Sequence, residues 1–152
     1  GPLIGSASRI IFGFVADKVG GAILTTITGL GILAGAILLV TQGLVAPTSM
    51  EQFPMFVGII LAMFLFTGIG NAGTFRQYPI IFAENQRQAA GVIGWTAAIA
   101  AFGPFIFSKL IGNNITANGG ANQFFIGLIL FTTLATTINW SLYNRKGCEK
   151  PS

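Results

Sequence analysis

Residues 22–45 read AILTTITGLGILAGAILLVTQGLV, an uninterrupted stretch without a single charged side chain. About 20 mostly apolar residues are needed for an α-helix to cross the roughly 30 Å hydrocarbon core of a bilayer. The threonines and glycines inside the stretch are compatible with this, because small residues allow membrane helices to pack closely. The stretch therefore predicts a transmembrane helix and decides the fold class.

The composition of the whole chain agrees with that prediction. Hydrophobic residues make up 53% of the sequence and charged residues 8%, whereas an ordinary soluble domain has roughly 25% charged residues. Glycine accounts for 21 of 152 residues, which suits close packing of helices in lipid. These values exclude a water-soluble globular domain and predict an all-α transmembrane protein.

Four further apolar runs flank the deciding stretch, two of them separated from it by short polar segments. The five predicted spans are residues 2–16, 22–45, 54–75, 89–111 and 123–143, within a membrane domain of residues 1–144 that is followed by a tail of residues 145–152. The first run is short, and Gly1 opens it without the charged start and cleavage site of a signal peptide. We therefore expect the chain to be cut from a larger protein.

The basic residues predict the orientation of the spans. Six of the eight lie in segments that fall on one side of the predicted membrane: Lys18, Arg76, Arg87, Arg145, Lys146 and Lys150. The opposite loops, residues 46–53 and 112–122, contain no Lys or Arg, and Lys109 lies near that boundary. The positive-inside rule then places the C-terminus and the tail in the cytoplasm.

Several classes of site and partner are excluded by what the spans contain. Histidine is absent, and Asp17, Glu51, Glu84 and Glu149 lie at or outside the ends of the apolar runs. No cluster therefore resembles a metal or haem site, and no cofactor is expected. Cys148 is the single cysteine, so no disulfide forms within the chain. No loop is basic enough to predict a nucleic-acid partner.

Arg9 is the residue that points most directly to function. It precedes Asp17 by eight residues, or about 12 Å of helix rise, which is too deep for a boundary charge. On a helical wheel it lies opposite an apolar stripe, so we expect it to face protein or water. An ion pair with a neighbouring helix, or extension of the side chain to the interface, are the alternatives. No span contains Asp or Glu, and a planar guanidinium without a counter-ion favours a planar oxyanion as ligand.

The third span carries a second group of candidate residues. Thr67, Gly70, Asn71 and Thr74 follow i, i+3, i+4, i+7 spacing and form one small, polar stripe. We expect Gly70, Asn71 and Thr74 to line a substrate site together with Arg9. Gly68 and Gly73 complete the glycine-rich stretch. A tight helix crossing explains the glycines equally well.

The fourth span repeats the small-residue theme. Gly91 and Gly94 are followed by Ala98 and Ala101 at helical spacing, and Gly103-Pro104 predicts a kink. We interpret these residues first as packing and hinge elements. Four phenylalanines of the third and fourth spans are expected to lie in the core or against lipid, although a phenyl ring covering an anion cavity is an alternative: Phe75, Phe102, Phe105 and Phe107.

Three stretches together resemble a known family. The first run continues into a loop with Gly13, Asp17, Lys18, Gly20 and Gly21, of the form G-x-x-x-D-[RK]-x-G-G. The stretch TGIGNAGTFRQ (residues 67–77) is similar to a nitrate signature, and QAAGVIGWTAAIAAFG (residues 88–103) to the helix after it. On these residues the chain resembles the NarK-type nitrate/nitrite porters of the major facilitator superfamily. The first run and its loop match the family's eighth helix, the signature matches the tenth helix, and residues 88–103 match the eleventh.

The resemblance implies a twelve-helix transporter built of two halves, of which this chain is part of the C-terminal half. It implies that Arg9 is one of two arginines that clamp the anion, and that its partner lies in the missing N-terminal helices. Nitrate/nitrite exchange by alternating access in the inner membrane of a prokaryote is then expected, with no enzymatic activity. Proton-coupled nitrate uptake, another transporter for organic anions and a non-transport membrane subunit remain alternatives, and the isolated piece is expected to be inactive.

Overall fold

The computed structural model describes residues 1–152 and consists of five α-helices joined by short turns. They are α1 (Pro2–Val19), α2 (Gly21–Thr41), α3 (Phe53–Ile81), α4 (Gln86–Asn118) and α5 (Asn122–Asn139). A 3₁₀ turn, Met50–Gln52, leads into α3, and a π-helical segment, Trp140–Asn144, continues α5. The prediction of an all-helical protein is confirmed.

Four segments are long and apolar enough to cross a membrane. They are Gly21–Thr41, Met50–Ile81, Gln86–Asn118 and Asn122–Asn144. Helix α1 is not among them, since its 18 residues include Arg9, Asp17 and Lys18. Four of the five predicted spans thus correspond to helices that could cross a membrane by length and composition, and the five crossings stay a prediction.

The predicted loop of residues 76–88 is wrong in length. Helix α3 continues through Arg76 and Pro79 to Ile81, and α4 begins at Gln86, capped by Asn85, whose Oδ1 accepts from the Gln88 backbone N–H at 3.1 Å. Four residues, 82–85, make the turn. Polar residues ended the apolar run but not the helix, because backbone hydrogen bonding does not depend on hydropathy.

The predicted boundaries of the loops 46–53 and 112–122, on the side opposite the basic residues, also differ from the helix ends in the structure. Helix α4 runs to Asn118 and stops at Gly119, whose φ of 70° is left-handed, so most of the predicted loop 112–122 is helical. In contrast α2 ends at Thr41, four residues before the end of the apolar run. A turn with Gly43 at φ 66° follows, and Leu44 and Val45 are buried as part of it.

The helices pack in the order α1, α3, α2, α5. Helix α3 lies between α1 and α2, and α5 covers the other side of α2. A buried cluster of Ala36, Leu39, Val45, Ala121 and Phe125, with Leu44, joins α2 to the start of α5. Helix α4 touches α3 and α5 only lightly, and Ala89 is its one buried residue.

Glycines set the distance between α1 and α3. A Cβ atom on Gly68 would collide with the Ser8 hydroxyl and the Gly5 carbonyl of α1. Ser8 is buried, and its hydroxyl donates to the carbonyl of Gly5 at 3.0 Å and to that of Leu65 at 3.2 Å. The two helix backbones therefore approach closely here, with only the small Ser8 side chain between them, as small residues allow in membrane helices.

A second glycine contact joins α3 to α2. A Cβ atom on Gly73 would lie 2.8 Å from the carbonyl oxygen of Gly21, and one on Gly21 would collide with the carbonyl of Gly73. Gly68 and Gly73 thus serve as packing residues on two faces of the same helix. The tight-crossing interpretation of these two glycines is the one that the structure favours.

Adjacent threonines of α2 make hydrogen bonds in different directions. The Gln77 side chain of α3 donates to Thr25 Oγ1 at 2.6 Å. From the other side, the amides of Asn139 and Asn144 donate to Thr26 Oγ1 at 2.9 and 3.0 Å. Gln77 and Asn139 are both buried, so these bonds satisfy polar groups that would otherwise be costly inside the bundle.

The predicted loop of residues 17–21 is almost entirely helical. Asp17 and Lys18 belong to the last turn of α1, Gly21 opens α2, and Gly20 alone is non-helical, with a φ of 93° that favours glycine. Asp17 Oδ1 lies 2.7 Å from Nε of Arg76 on α3. This is an ion pair without hydrogen-bond geometry at Nε.

Replacing Gly68 by alanine is expected to destabilise the protein by about 1–3 kcal/mol, because overpacking at a backbone contact forces the helices apart. The measurement is the unfolding free energy of the purified protein in mixed micelles titrated with a denaturing detergent. Gly58→Ala is the matched control, since Gly58 lies on the same helix with no atom within 4 Å of the added carbon. Equal effects of the two substitutions would contradict the assigned role of Gly68.

The Asp17–Arg76 ion pair is expected to contribute little stability. The two side chains are 60% and 40% exposed, and exposed pairs typically couple by about 0.2–1 kcal/mol. A double-mutant cycle with Asp17→Asn and Arg76→Gln measures this coupling. A coupling energy above about 2 kcal/mol would show that the pair is desolvated in the membrane.

Candidate functional site

A cavity of about 340 Å³ lies along the seam between α1 and α3. Its walls are mostly polar or small residues, and no residue of α2 lines it. The lining residues are Pro2, Gly5, Ser6, Arg9, Phe64, Thr67, Gly68 and Asn71. The seam therefore brings together the predicted cation of α1 and the predicted amide of α3.

Arg9 carries the positive charge of this cavity. It makes no salt bridge or hydrogen bond within the chain, since the one ion pair present joins Asp17 to Arg76. Its guanidinium carbon lies 5.6 Å from the centre of the Phe75 ring. The alternative in which Arg9 pairs with a carboxylate of this chain is therefore not observed, and its N–H donors are free to bind a ligand.

Asn71 is the second polar group in the cavity. It is half-buried, and its Oδ1 atom is buried without a hydrogen-bond partner. A buried, unpaired amide oxygen is costly, so a partner is expected there when the protein is at work. Because the oxygen and nitrogen of the amide exchange places when the group turns over, Asn71 can offer a ligand either an acceptor or a donor.

The other predicted stripe residues face different neighbours. Thr67 lines the cavity but donates its hydroxyl to the carbonyl of Phe64 at 2.8 Å. A Cβ atom on Gly70 would meet the side chain of Thr28, and the Thr74 hydroxyl lies 3.4 Å from that of Thr25. Gly70 and Thr74, predicted to line the substrate site, thus lie against α2 and away from Arg9.

Gly91 and Gly94 of α4 are not brought against another helix. A Cβ atom added to Gly91 or Gly94 would have no neighbouring atom within 4 Å, and the same is true of Gly13 on α1. The predicted packing role of Gly91 and Gly94 therefore finds no partner within residues 1–152. Gly91 and Gly94 stay outside the site on α1 and α3, whereas Gly13 lines a second cavity of the same seam.

Phe75, expected first in the core or against lipid, is a further member of the site. It lies one helical turn after Asn71, which places it on the same face of α3, and it lines a neighbouring cavity of about 360 Å³ together with Asp17 and Arg76. The signal was available in the i, i+4 spacing from Asn71. Hydropathy alone favours a core or lipid-facing position for such a ring, whereas the half-buried ring also contacts Arg9.

An apolar cavity of about 380 Å³ lies elsewhere, between the turn that precedes α3 and the facing ends of α4 and α5. Its lining includes Phe53, Phe56, Ile111 and Phe125, and it contains no charged residue. Without a group that orients a polar ligand, it is not a candidate for recognition of an anion.

Comparisons with known proteins identify relatives of the whole chain. No protein-family model matches the chain. A protein named "Probable nitrate/nitrite antiporter NarK2" from Thermus thermophilus is 50% identical over 151 residues, covering 99% of this chain and 33% of the relative.

Two further relatives are more distant. Proteins named "Nitrate/nitrite transporter NarU" are 25% identical in Escherichia coli (strain K12) and 28% identical in Salmonella typhimurium, each over 96% of this chain and 35% of the relative. The chain thus spans about a third of the length of the curated relatives it matches. With nearly the whole chain matched, the resemblance predicted from its sequence is confirmed, and the chain is homologous to the NarK-type nitrate/nitrite porters over about a third of their length.

Proposed function

We propose that the chain is the C-terminal portion of a membrane transporter that exchanges nitrate for nitrite by alternating access. The observation that carries the proposal is Arg9, a cation with no counter-ion in the chain, placed beside Asn71 in the cavity between α1 and α3. The names of the three relatives, which contain nitrate and nitrite, support the choice of substrate.

The chemistry of Arg9 fits a planar oxyanion. Guanidinium presents its N–H donors in one plane, and nitrate and nitrite present two oxygens in one plane, so two parallel hydrogen bonds can form. Lysine offers a point charge without this fork. Arg9 is therefore proposed as the primary substrate ligand of this half of the transporter.

Asn71 is proposed to complete recognition from α3. An anion that only accepts hydrogen bonds requires the amide to present its Nδ2 donors to the cavity. One Nδ2 donor beside the Arg9 guanidinium can donate a hydrogen bond to a further oxygen of nitrate. Chloride has no such second acceptor atom. Gly70 and Thr74 pack against α2 and are assigned no ligand role in this proposal.

The charge balance of the cavity favours exchange. Its lining contains Arg9 and no acidic residue, and Asp17, further along α1, is paired with Arg76. A second arginine from the remainder of the transporter would leave an empty site strongly positive. Reorientation is then easiest with an anion bound, which couples outward and inward movement.

The proposed setting is the inner membrane of a prokaryote with the C-terminus in the cytoplasm. The distribution of the basic residues supports this orientation. Large apolar side chains are exposed along the helices, including Ile10, Leu30, Phe102 and Leu134, as a lipid-facing surface requires. The remaining partner is the rest of the transporter, whose helices would close the cavity.

The role of Arg9 is testable in a chimera in which this chain replaces the matching segment of the Thermus thermophilus relative. In proteoliposomes loaded with nitrite, Arg9→Gln is expected to lower the apparent affinity for external nitrate by roughly 10- to 150-fold, the loss of a charge-assisted hydrogen-bonded pair. Arg9→Lys is expected to recover little of it, because the fork is lost.

The control for charge alone is Lys109→Gln, which removes an exposed cation of α4 outside the cavity. It is expected to leave exchange unchanged. A wild-type chimera that reaches the vesicles and exchanges neither anion would contradict the proposed function. Uptake that requires an inward proton gradient and no internal nitrite would instead establish proton coupling.

Asn71→Leu is expected to reduce the preference for nitrate over chloride by about five- to tenfold, because one neutral hydrogen bond contributes roughly 1 kcal/mol. The measurement is inhibition of nitrate uptake by external chloride. Asn113→Leu is the matched control, since Asn113 is an exposed residue of α4. Unchanged selectivity in the Asn71 variant would rule out the proposed donor.

A further inference from the structure

We infer that Phe75 is a positioning residue, which holds the Arg9 guanidinium in the orientation that receives the anion. The inference rests on the proposed function, because it assumes that Arg9 is a ligand of the transported anion. It concerns a residue of α3 that the sequence analysis expected first in the core or against lipid, and the names of the relatives assign it no role.

The contact itself is the first step. The guanidinium carbon of Arg9 lies 5.6 Å from the centre of the Phe75 ring, within the distance of about 6 Å at which a cation is attracted by an aromatic face. No other side chain of the chain pairs with Arg9 or accepts a hydrogen bond from it. Phe75 is therefore the group that determines where this long, flexible side chain rests.

The ring is itself held in place. Phe75 is half-buried, and its ring meets that of Tyr78 edge-on, with centres 5.9 Å apart and planes at 80°. Edge-to-face pairs are a favoured arrangement of aromatic rings. Both residues belong to helix α3, so the Phe75 ring offers the Arg9 side chain a fixed contact surface.

The kind of contact also suits a transport site. A carboxylate beside Arg9 would occupy the N–H donors and compete with the transported anion, whereas an aromatic ring attracts the cation without accepting those hydrogen bonds. Phe75 thus fixes the guanidinium and leaves its charge and its donors available to the substrate.

Phe75 also lies between Arg9 and the acidic residue of the same seam. It contacts Arg9 and lines the cavity that contains Asp17 and Arg76. A free Arg9 side chain could turn along α1 toward Asp17 or toward the membrane interface. By filling the seam at this point, the ring keeps Arg9 on the side of Asn71.

The test uses the chimera in proteoliposomes and compares Phe75→Leu with Phe75→Tyr. Leucine keeps apolar volume but removes the ring, and tyrosine keeps the ring. We expect Phe75→Leu to raise the KM for nitrate by roughly two- to tenfold, the magnitude of a cation–π contact. The exchange rate at saturating nitrate is expected to stay within about twofold, and Phe75→Tyr is expected to retain the wild-type KM.

The matched control is Phe105→Leu, the same substitution at an α4 ring that is 73% exposed. An unchanged KM in Phe75→Leu would overturn the inference, as would an equal rise in KM in Phe75→Leu and Phe75→Tyr. In either case, exchange of nitrate by the wild-type chimera would leave the proposed function standing. If the leucine variant does not fold, Phe75→Met takes its place under the same criteria. Failure of the wild-type chimera to exchange would overturn the proposed function, and the inference with it.

Discussion

The direct backbone contact between α1 and α3 is the constraint on which the site depends. Gly68 has no room for a side chain, and the Ser8 hydroxyl fills the space that remains by bonding to carbonyls of both helices. Only at this separation do Arg9 and Asn71 line one cavity. A helix pair held apart by larger side chains would leave the cation and the amide on separate surfaces, with no shared ligand.

The two helices contribute unequal parts to that cavity. Helix α1 supplies the charge of Arg9, and α3 supplies the neutral groups that surround it, the Asn71 amide and the Phe75 ring. The acidic group of the seam, Asp17, is engaged by Arg76 further along. Separating the charge from its nearest acid in this way keeps the cavity positive, and a positive cavity is what an anion requires for entry into a membrane.

Much of this was predictable, and the failures have physical causes. Long apolar runs identify helices in lipid, and the depth of Arg9 and the polarity of Asn71 mark both as functional candidates. Gly70 and Thr74 were misplaced because a stripe at i, i+3, i+4, i+7 is broad enough for its two edges to face different helices. Phe75 was expected first in the core or against lipid, because its i, i+4 spacing from Asn71 shows only that both share a face of α3, and its contact with Arg9 depends on how α1 packs against that face. Helix ends were misjudged because hydropathy reports the lipid boundary and not the hydrogen-bond pattern.

The adjacent threonines of α2 bear on how such a bundle moves. Neighbouring residues of a helix point about 100° apart, and Thr25 is bonded to Gln77 of α3 while Thr26 is bonded to Asn139 and Asn144 at the end of α5 and just after it. Any twist of α2 about its own axis must stretch both sets of bonds together. These hydrogen bonds therefore oppose rotation of α2 about its own axis relative to α3 and α5. Tilting of the three helices together would leave the same bonds intact.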